Sequence, residues 1–496
     1  MDAAVAAACM SFIAEPVLTG AGGGGFMLLC MPDGSPRLLD GFARMPGHGT
    51  DSANPVDFRA IPLDFGDTVQ TFHIGRGSVA TPGLISMLFE AQRRFGNIPM
   101  REVLAPACHA ARKGVVLNDL QASFIHLLQP ILSSTDACMA LHSKEKRLLN
   151  KGELFTNPEL ASLLELLCIE GVDEMYRGDV ARTIVAACHP GGLLGMQDLA
   201  GARVMEREPL AIDALGGTLF TNPAPSSGGS LIAFALRLLE GLRSKRREGD
   251  AILLSESLRE AAATRNTDFD TLIHRPGFAA EFLHPDRLNQ HLNKILQRID
   301  NNSSFIDSEA TNRHGSTTHI SVLDSKGMAV SLTASNGEGS GIVVPGTGIH
   351  LNNMLGEEDI NPLGFHRLAS GETLSSMMAP SILVQNRAPT LILGSGGSNR
   401  LRGAILQVLF RHTVLGESIA KAVRAPRLHP ENGLLDAEPK ALSTADEDAL
   451  HRLGWKIRHW SKPSLYFGGV HAISVGKNGQ ADAVGDPRRG GAVAWA

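Results

Sequence analysis

Thr317 follows two small residues, Gly315 and Ser316, and stands at the head of a strand-like segment. Ile320 to Asp324 alternates apolar and polar, Lys326–Gly327 makes a turn, and Met328 to Thr333 reads as a second strand. A threonine hydroxyl is a weak nucleophile, but a free α-amine on the same residue, with a pKa near ~8, can take its proton. The placement suits a chain that cuts itself before Thr317 and then uses the freed threonine as the nucleophile. Thr-Thr pairs are also ordinary in strands because β-branched residues fit the pleat, so the pentapeptide alone leaves both readings open.

Four other stretches fit a site built around Thr317. The loop Ser335–Gly341 follows the second strand, where Ser335 and Asn336 can hold a hydroxyl and an amine in register; a plain glycine-rich hairpin loop is the alternative. Asn352–Asp359 is an acidic turn suited to gripping an ammonium, or a set of solvated loop carboxylates. Ser375 and Ser376 are paired hydroxyls that suit a carboxylate, although serines before a strand commonly serve turns. Gly396 and Gly397 lie between a strand and a helix. Consecutive glycines let backbone N–H groups converge on one oxygen, and the helix start adds partial positive charge.

The elements that position these groups divide the chain. Helices are expected over 2–13, 82–95, 100–113, 118–133, 157–169, 179–188, 229–243, 251–264 and 285–297, with a glycine-rich turn at Gly20–Gly25 and a short strand from Phe26 to Met31. The opening helix reads as capped by Asp2. Strands are expected at 318–324, 328–333, 380–385, 390–394, 468–475 and 480–484, with helices at 398–411, 416–423 and 444–453. A strand-rich tail cannot bury both faces of its sheets alone, so it must pack with strands and helices from the first part.

The chain has 496 residues, 43% hydrophobic and 20% charged, with a formal net charge of −5, so nothing suggests a nucleic-acid surface. The short basic run Ser244–Arg247 reads as a solvated helix end. The cysteines Cys9, Cys30, Cys108, Cys138, Cys168 and Cys188 form no Cys-x-x-Cys pair and read as buried free thiols. No apolar run reaches the ~20 residues of a membrane span, and no signal peptide with a basic start is present, which as written places the chain in the cytoplasm. An export segment upstream of Met1 would place it in the periplasm instead. The Gly-x-Ser-x-Gly, His-Glu-x-x-His and Gly-Lys-Ser/Thr motifs are absent, and the glycine run precedes a strand rather than a helix, which argues against a dinucleotide site.

Taken together, Asp2–Ala8, Glu15–Pro16, Gly22–Met27, Pro225–Gly229, Thr317–Val322, Pro345–Gly348, Asn352–Asn353, Ser375–Met377, Gly396–Gly397 and Asp486–Arg488 resemble the γ-glutamyltransferase (γ-glutamyltranspeptidase) family over nearly the whole length. The resemblance implies an α/β (α+β) fold, the four-layer αββα sandwich of N-terminal-nucleophile hydrolases. It implies self-cleavage at Ser316–Thr317 into a large subunit, 1–316, and a small catalytic subunit, 317–496, that stay paired as one domain. Thr317 would attack the γ-carbonyl of a glutamyl donor such as glutathione, and the acyl-enzyme would pass to water or to an amino-acid or peptide acceptor. By the same resemblance Ser335 positions the nucleophile, Asn336 binds substrate, Glu357 holds the α-ammonium, Ser375 and Ser376 contact the α-carboxylate, and Gly396 and Gly397 supply oxyanion N–H groups. No metal or organic cofactor is implied, and no nucleic-acid or membrane partner.

The sequence departs from the family pattern in four places. The loop after Thr333 is about two residues short, the acid at 357 is Glu rather than Asp, and the segment from Ile360 to Thr373 is short, which implies a more open cleft. The fourth concerns the arginine that clamps the donor carboxylate; it stands here as Arg44, displaced by about two positions from its usual place after Leu39–Asp40. These departures keep two other readings open: an acylase of the same superfamily acting on glutaryl or cephalosporin-type amides, and an unprocessed relative acting as a binding protein.

Overall fold

The structure, a computed structural model, describes residues 1–49, 54–64, 69–246, 248–302, 317–431 and 433–496. The chain folds as two compact units, each assembled from separate stretches. One comprises Met1–Leu29, Arg37–Arg207 and Gly315–Ser375, the other Cys30–Pro36, Glu208–His314 and Ser376–Ala496. Eleven strands form the two main sheets: β1 (Gly24–Cys30), β2 (Pro36–Gly41), β3 (Met205–Arg207), β4 (Leu210–Ala214), β5 (Gly217–Thr221), β6 (Thr318–Leu323), β7 (Ala329–Ser335), β8 (Ser381–Gln385), β9 (Ala388–Gly396), β10 (Gly469–Val475) and β11 (Ala481–Val484).

In the first unit the sheet order is β6-β7-β1-β2-β3. The helix Asp2–Ala14 packs on β6 and β7, and its buried Ala4, Val5, Ala8 and Phe12 let it approach closely. Asp2 is the first helical residue rather than a side-chain cap. Its carboxylate accepts from Gln92 Nε2 (2.5 Å) and the Asn97 backbone N–H (2.9 Å), tying the helix start to the chain after the helix Leu84–Phe95.

In the second unit the order is β4-β5-β8-β9-β10-β11, antiparallel at every step. The helices Ser227–Lys245 and Arg400–Thr413 cover it, and Leu231, Phe234, Ile405 and Leu409 share one core with Leu219, Leu383 and Leu393 of the sheet. Each unit thus carries its own helical layer on its own sheet.

Both sheets draw strands from either side of Thr317. β7 lies beside β1 in the first, and β5 pairs with β8 in the second. The tail therefore finds its partners in the first part of the chain, including strands at 36–41, 205–207, 210–214 and 217–221 that the sequence pattern did not call for. The helix expected over 118–133 is broken in two, Asp119–Leu127 and Gln129–Leu132. The six cysteines are free thiols, all buried except the half-buried Cys168.

The glycine run is not a simple turn. Gly24 and Gly25 already belong to β1. A Cβ added at Gly23 would fall 2.2 Å from the Ser335 carbonyl oxygen, and one at Gly25 would fall 2.7 Å from that of Thr333. These glycines let one backbone press against the end of β7. Gly23→Ala is therefore expected to destabilise the protein by about 1–3 kcal/mol. Gly201→Ala, where an added Cβ meets no atom within 4 Å, should change stability by less than about 0.5 kcal/mol. Urea unfolding of the two variants beside the wild type checks this, and equal midpoints would contradict it.

Candidate active site

The β6–β7 ladder pairs Leu323 with Ala329 at one end and Thr318 with Ala334 at the other. One further step of that register sets Thr317 across from Ser335. Alternate residues share a face, so Thr317 and Ser335 head a row that continues through His319 and Thr333 to Ser321 and Ser331. The contacts match: His319 Nδ1 lies 2.8 Å from Thr333 Oγ1, and its Nε2 lies 3.1 Å from Ser321 Oγ. Thr318 points the other way, and its hydroxyl donates to the Glu15 carboxylate. Thr317 (7% exposed) and Ser335 (5%) are both buried. Ser316, the other side of the expected scissile bond, lies outside the described residues.

Ser335 ends β7 rather than opening the loop, and its Oγ accepts the Gly337 N–H at 2.9 Å. Asn336 donates through Nδ2 to the His350 carbonyl at 3.0 Å, while its Oδ1 is sealed from solvent with no hydrogen-bond partner among the described residues. Gly337 has φ +61°. A Cβ there would lie 2.3 Å from Asn353 Oδ1 and 2.3 Å from Glu357 Oε1, so only glycine lets the Glu357 carboxylate close on this turn. Glu357 keeps some exposed surface, but its Oε1 is sealed and likewise has no hydrogen-bond partner among the described residues. Burial first, and then the nearby Glu338 and Asp359, push its carboxyl well above the ordinary value of 4.5.

The rest of the acidic turn does structural work. Asn352 bridges the Gly22 and Ala80 carbonyls (2.8 and 2.9 Å) and accepts from the Ala80 N–H, while Asn353 Oδ1 accepts the N–H groups of Glu338 (2.8 Å) and Gly339 (3.1 Å). Both side chains are thus engaged in bracing the backbone of this turn and its neighbours. Neither the brace of Asn353 nor the Glu15–Thr318 bond is visible in local pattern, although Glu15 and Asn353 both stand in the sequence stretches singled out above.

Arg44 bridges Thr81 and Thr373 through its backbone, and its Nη2 donates to the Arg203 carbonyl at 2.5 Å. Leu374 donates to the Ala43 carbonyl at 3.2 Å, so this strand-like pairing fixes the chain directly before the buried Ser375. Arg207 reaches the same corner, with Nε 2.5 Å from the buried Asp40 carboxylate and Nη2 3.3 Å from Thr373 Oγ1.

The second unit holds the remaining residues. The Ser376 carbonyl accepts from the Ser226 hydroxyl (2.8 Å) and the Ser227 N–H (2.7 Å). The run Pro225–Gly229 is thereby explained as a helix start seated on this backbone. A Cβ on Gly228 would meet the Met377 carbonyl at 2.0 Å. Gly396 closes β9 opposite Gly469, Gly397 has φ +119° and Ser398 φ +46°, and the helix Arg400–Thr413 follows. That strand–turn–helix geometry suits backbone N–H groups aimed at an anion. Among the described residues no group of three His, Cys, Asp or Glu side chains could hold a metal ion, and no helix is long and apolar enough to cross a membrane.

The family model of gamma-glutamyltranspeptidase matches residues 1–496. The chain belongs to the gamma-glutamyltranspeptidase family. It is 30% identical to a glutathione hydrolase proenzyme of Pseudomonas aeruginosa, spanning 98% of this chain and 89% of that protein. It is 29% identical to an acylase proenzyme of a Pseudomonas species, spanning 97% of this chain and 86% of that one. Among solved structures it resembles the cephalosporin acylase of Bacillus halodurans with a TM-score of 0.84 at 24% identity, over 100% of this chain and 91% of that one. The fold of this family member is accordingly the α+β fold of the N-terminal-nucleophile hydrolases.

The raised Glu357 pKa makes a signed prediction. A carboxyl whose folded pKa exceeds its unfolded value binds its proton more tightly in the native state, so it destabilises the fold progressively as pH rises above the unfolded value. Glu357→Gln, which stays neutral, is expected to match the wild type in thermal stability at pH 4 and to exceed it increasingly as pH climbs above 4.5. Melting curves from pH 4 to 8 check this, and a difference that does not change with pH would contradict it.

Proposed function

We propose that this chain is a self-processing γ-glutamyltransferase and glutathione hydrolase. Cleavage at Ser316–Thr317 leaves a large chain, 1–316, and a small catalytic chain, 317–496. The freed α-amine of Thr317 takes the proton of its own hydroxyl, and the oxygen adds to the γ-carbonyl carbon of the donor. Collapse of the tetrahedral adduct breaks the C–N bond, the leaving amine carries the proton away, and an ester to Thr317 remains. Water or the amine of an amino acid or peptide then attacks the ester and frees Thr317.

Ser335 holds the Thr317 hydroxyl in register, and Gly396 and Gly397 donate N–H groups to the oxygen that becomes negative. Ser375 and Ser376 take the donor α-carboxylate, with Arg44 supporting that end from beside Thr373. Asn336 and Glu357 receive the α-ammonium. One observation carries the donor assignment: Asn336 Oδ1 and Glu357 Oε1 flank Gly337 as sealed acceptors with no hydrogen-bond partner among the described residues, next to the Thr317–Ser335 pair. Two such acceptors are costly unless a bound group brings N–H donors, and an ammonium does.

A second reading has its own support. Burial and the nearby Glu338 and Asp359 raise the Glu357 pKa, which favours its neutral form over the carboxylate that would pair with an ammonium. That shift also suits a glutaryl-type acyl group, which keeps the carboxylate but has no ammonium.

Initial rates with γ-glutamyl-p-nitroanilide and glutaryl-p-nitroanilide decide between them. The account expects the γ-glutamyl compound to be preferred by at least ~10-fold in kcat/KM, Glu357→Ala to erase that preference, and Thr317→Ala to lose cleavage and at least ~1,000-fold of turnover. Preference for the glutaryl compound would make the acylase reading the correct one. Turnover of neither would overturn both.

A further inference from the structure

One residue grips both ends of the loop that follows β7, and no step above uses its side chain. His350 ends the short hairpin of Val343–Val344 with Ile349–His350, where it pairs with Val343. Its Nε2 accepts the Gly341 N–H at 3.0 Å, and its backbone carbonyl accepts from Asn336 Nδ2 at 3.0 Å. Between those two bonds lies Gly337, which admits the Glu357 carboxylate. Gly339 sits directly on the ring: at φ +85°, an added Cβ would lie 2.2 Å from His350 Cε1.

The ring is seated from its far side as well. It is buried, with Cys138 Sγ 3.7 Å from Nε2 and the His142 ring edge-on at 5.8 Å between centroids. The Thr135 hydroxyl, at the start of the helix Asp136–His142, donates to the Gly341 carbonyl at 2.6 Å. Gly341 is therefore fixed at both of its polar groups, its N–H by His350 and its carbonyl by Thr135. The bond from Gly341 needs a bare lone pair on Nε2, so the ring is neutral and carries its proton on Nδ1. Burial, and then His142, push the His350 pKa down to about 3, which keeps that lone pair available at neutral pH. An aliphatic residue of the same bulk would fill the space but leave the buried Gly341 N–H without its acceptor.

We propose that His350 is a positioning residue for the ammonium end of the donor: its Nε2 and its carbonyl together hold the Asn336–Gly341 loop and turn the Asn336 amide so that Oδ1 is the atom offered to substrate. The proposal rests on the reading that Asn336 and Glu357 receive an ammonium. The His350 ring makes no bond to Thr317 or Ser335, which the β6–β7 ladder places. Its loss therefore weakens a contact made equally in the ground state and the transition state, which raises KM and spares kcat. A glutaryl amide, which has no ammonium, does not use that contact.

The test uses the full-length protein with γ-glutamyl-p-nitroanilide and glutaryl-p-nitroanilide. His350→Leu should raise KM for the γ-glutamyl compound by about 10-fold with kcat within about threefold, and leave KM for the glutaryl compound within about twofold. His350→Gln, whose amide oxygen reaches about as far as Nε2, should recover most of the loss. An unchanged γ-glutamyl KM in His350→Leu, or an equal rise for both anilides, would overturn the proposal. If His350→Leu fails to fold or to cleave itself, His350→Gln and His350→Asn decide, since both are polar and neutral but only glutamine has the reach; equal γ-glutamyl KM in these two would overturn it. A wild type that does not prefer the γ-glutamyl compound, or turns over neither, would overturn the underlying reading and this proposal with it, and that result appears before any variant is made.

Discussion

The pairing of β6 with β7 is the constraint on which the first unit depends. Side chains alternate along a strand, so a one-residue slip would turn Thr317 toward the face where Thr318 meets Glu15 and would bury the wrong hydroxyl. Two features support the register beyond the backbone ladder bonds. His319 locks onto Thr333 and Ser321 on one face, and the glycine run presses β1 against the carbonyls of Thr333 and Ser335. The loop from Ser335 to Gly339 is then closed by Asn353, and Gly337 admits the Glu357 carboxylate. A hydroxyl pair and two buried acceptors with no hydrogen-bond partner among the described residues, one of them on the crowded Glu357, thereby stand on one frame.

The same sheets explain how a cut chain could remain one protein. A break before Thr317 removes a single covalent bond, while β7 stays hydrogen-bonded beside β1 and β5 stays bonded to β8. Every residue of those interfaces would have to lose its ladder bonds and buried apolar contacts together for the pieces to part. Cleavage at that bond would change the chemistry of one terminus and leave these sheet pairings in place.

Much of this was legible in the chain. The alternation after Thr317 located β6 and β7 to within two residues, the long periodic helices Asp2–Ala14 and Met100–Lys113 were placed closely, and Gly396–Gly397 was recognised as a strand-to-helix turn. What escaped detection was non-local. The hairpin β4–β5 turns through Leu215 and Gly216 at φ +57° and +74°; a leucine in a left-handed turn is not a turn signal, so the strands on either side went unread. β2 opens on Pro36 and closes on Gly41, and both residues ordinarily mark strand ends or loops. The glycine run looked like a turn because its purpose, contact with the backbone of residues more than three hundred positions away, leaves no local trace. Among the candidate site residues, Thr317 and Ser335 stand where the strand pattern sets them, whereas Glu357 is singled out from its acidic turn only by the family resemblance. The bracing by Asn352 and Asn353, and the diversion of Arg44 to a backbone carbonyl, emerge only in three dimensions.

The central claim is that Thr317 carries a free amine. Intact mass of the purified protein under denaturing conditions, followed by N-terminal sequencing, tests it most directly. The account predicts two chains of 316 and 180 residues from the 496-residue precursor, the smaller beginning at Thr317. A single uncut chain of 52.7 kDa would mean that the amine is never released, and would contradict the mechanism at its first step.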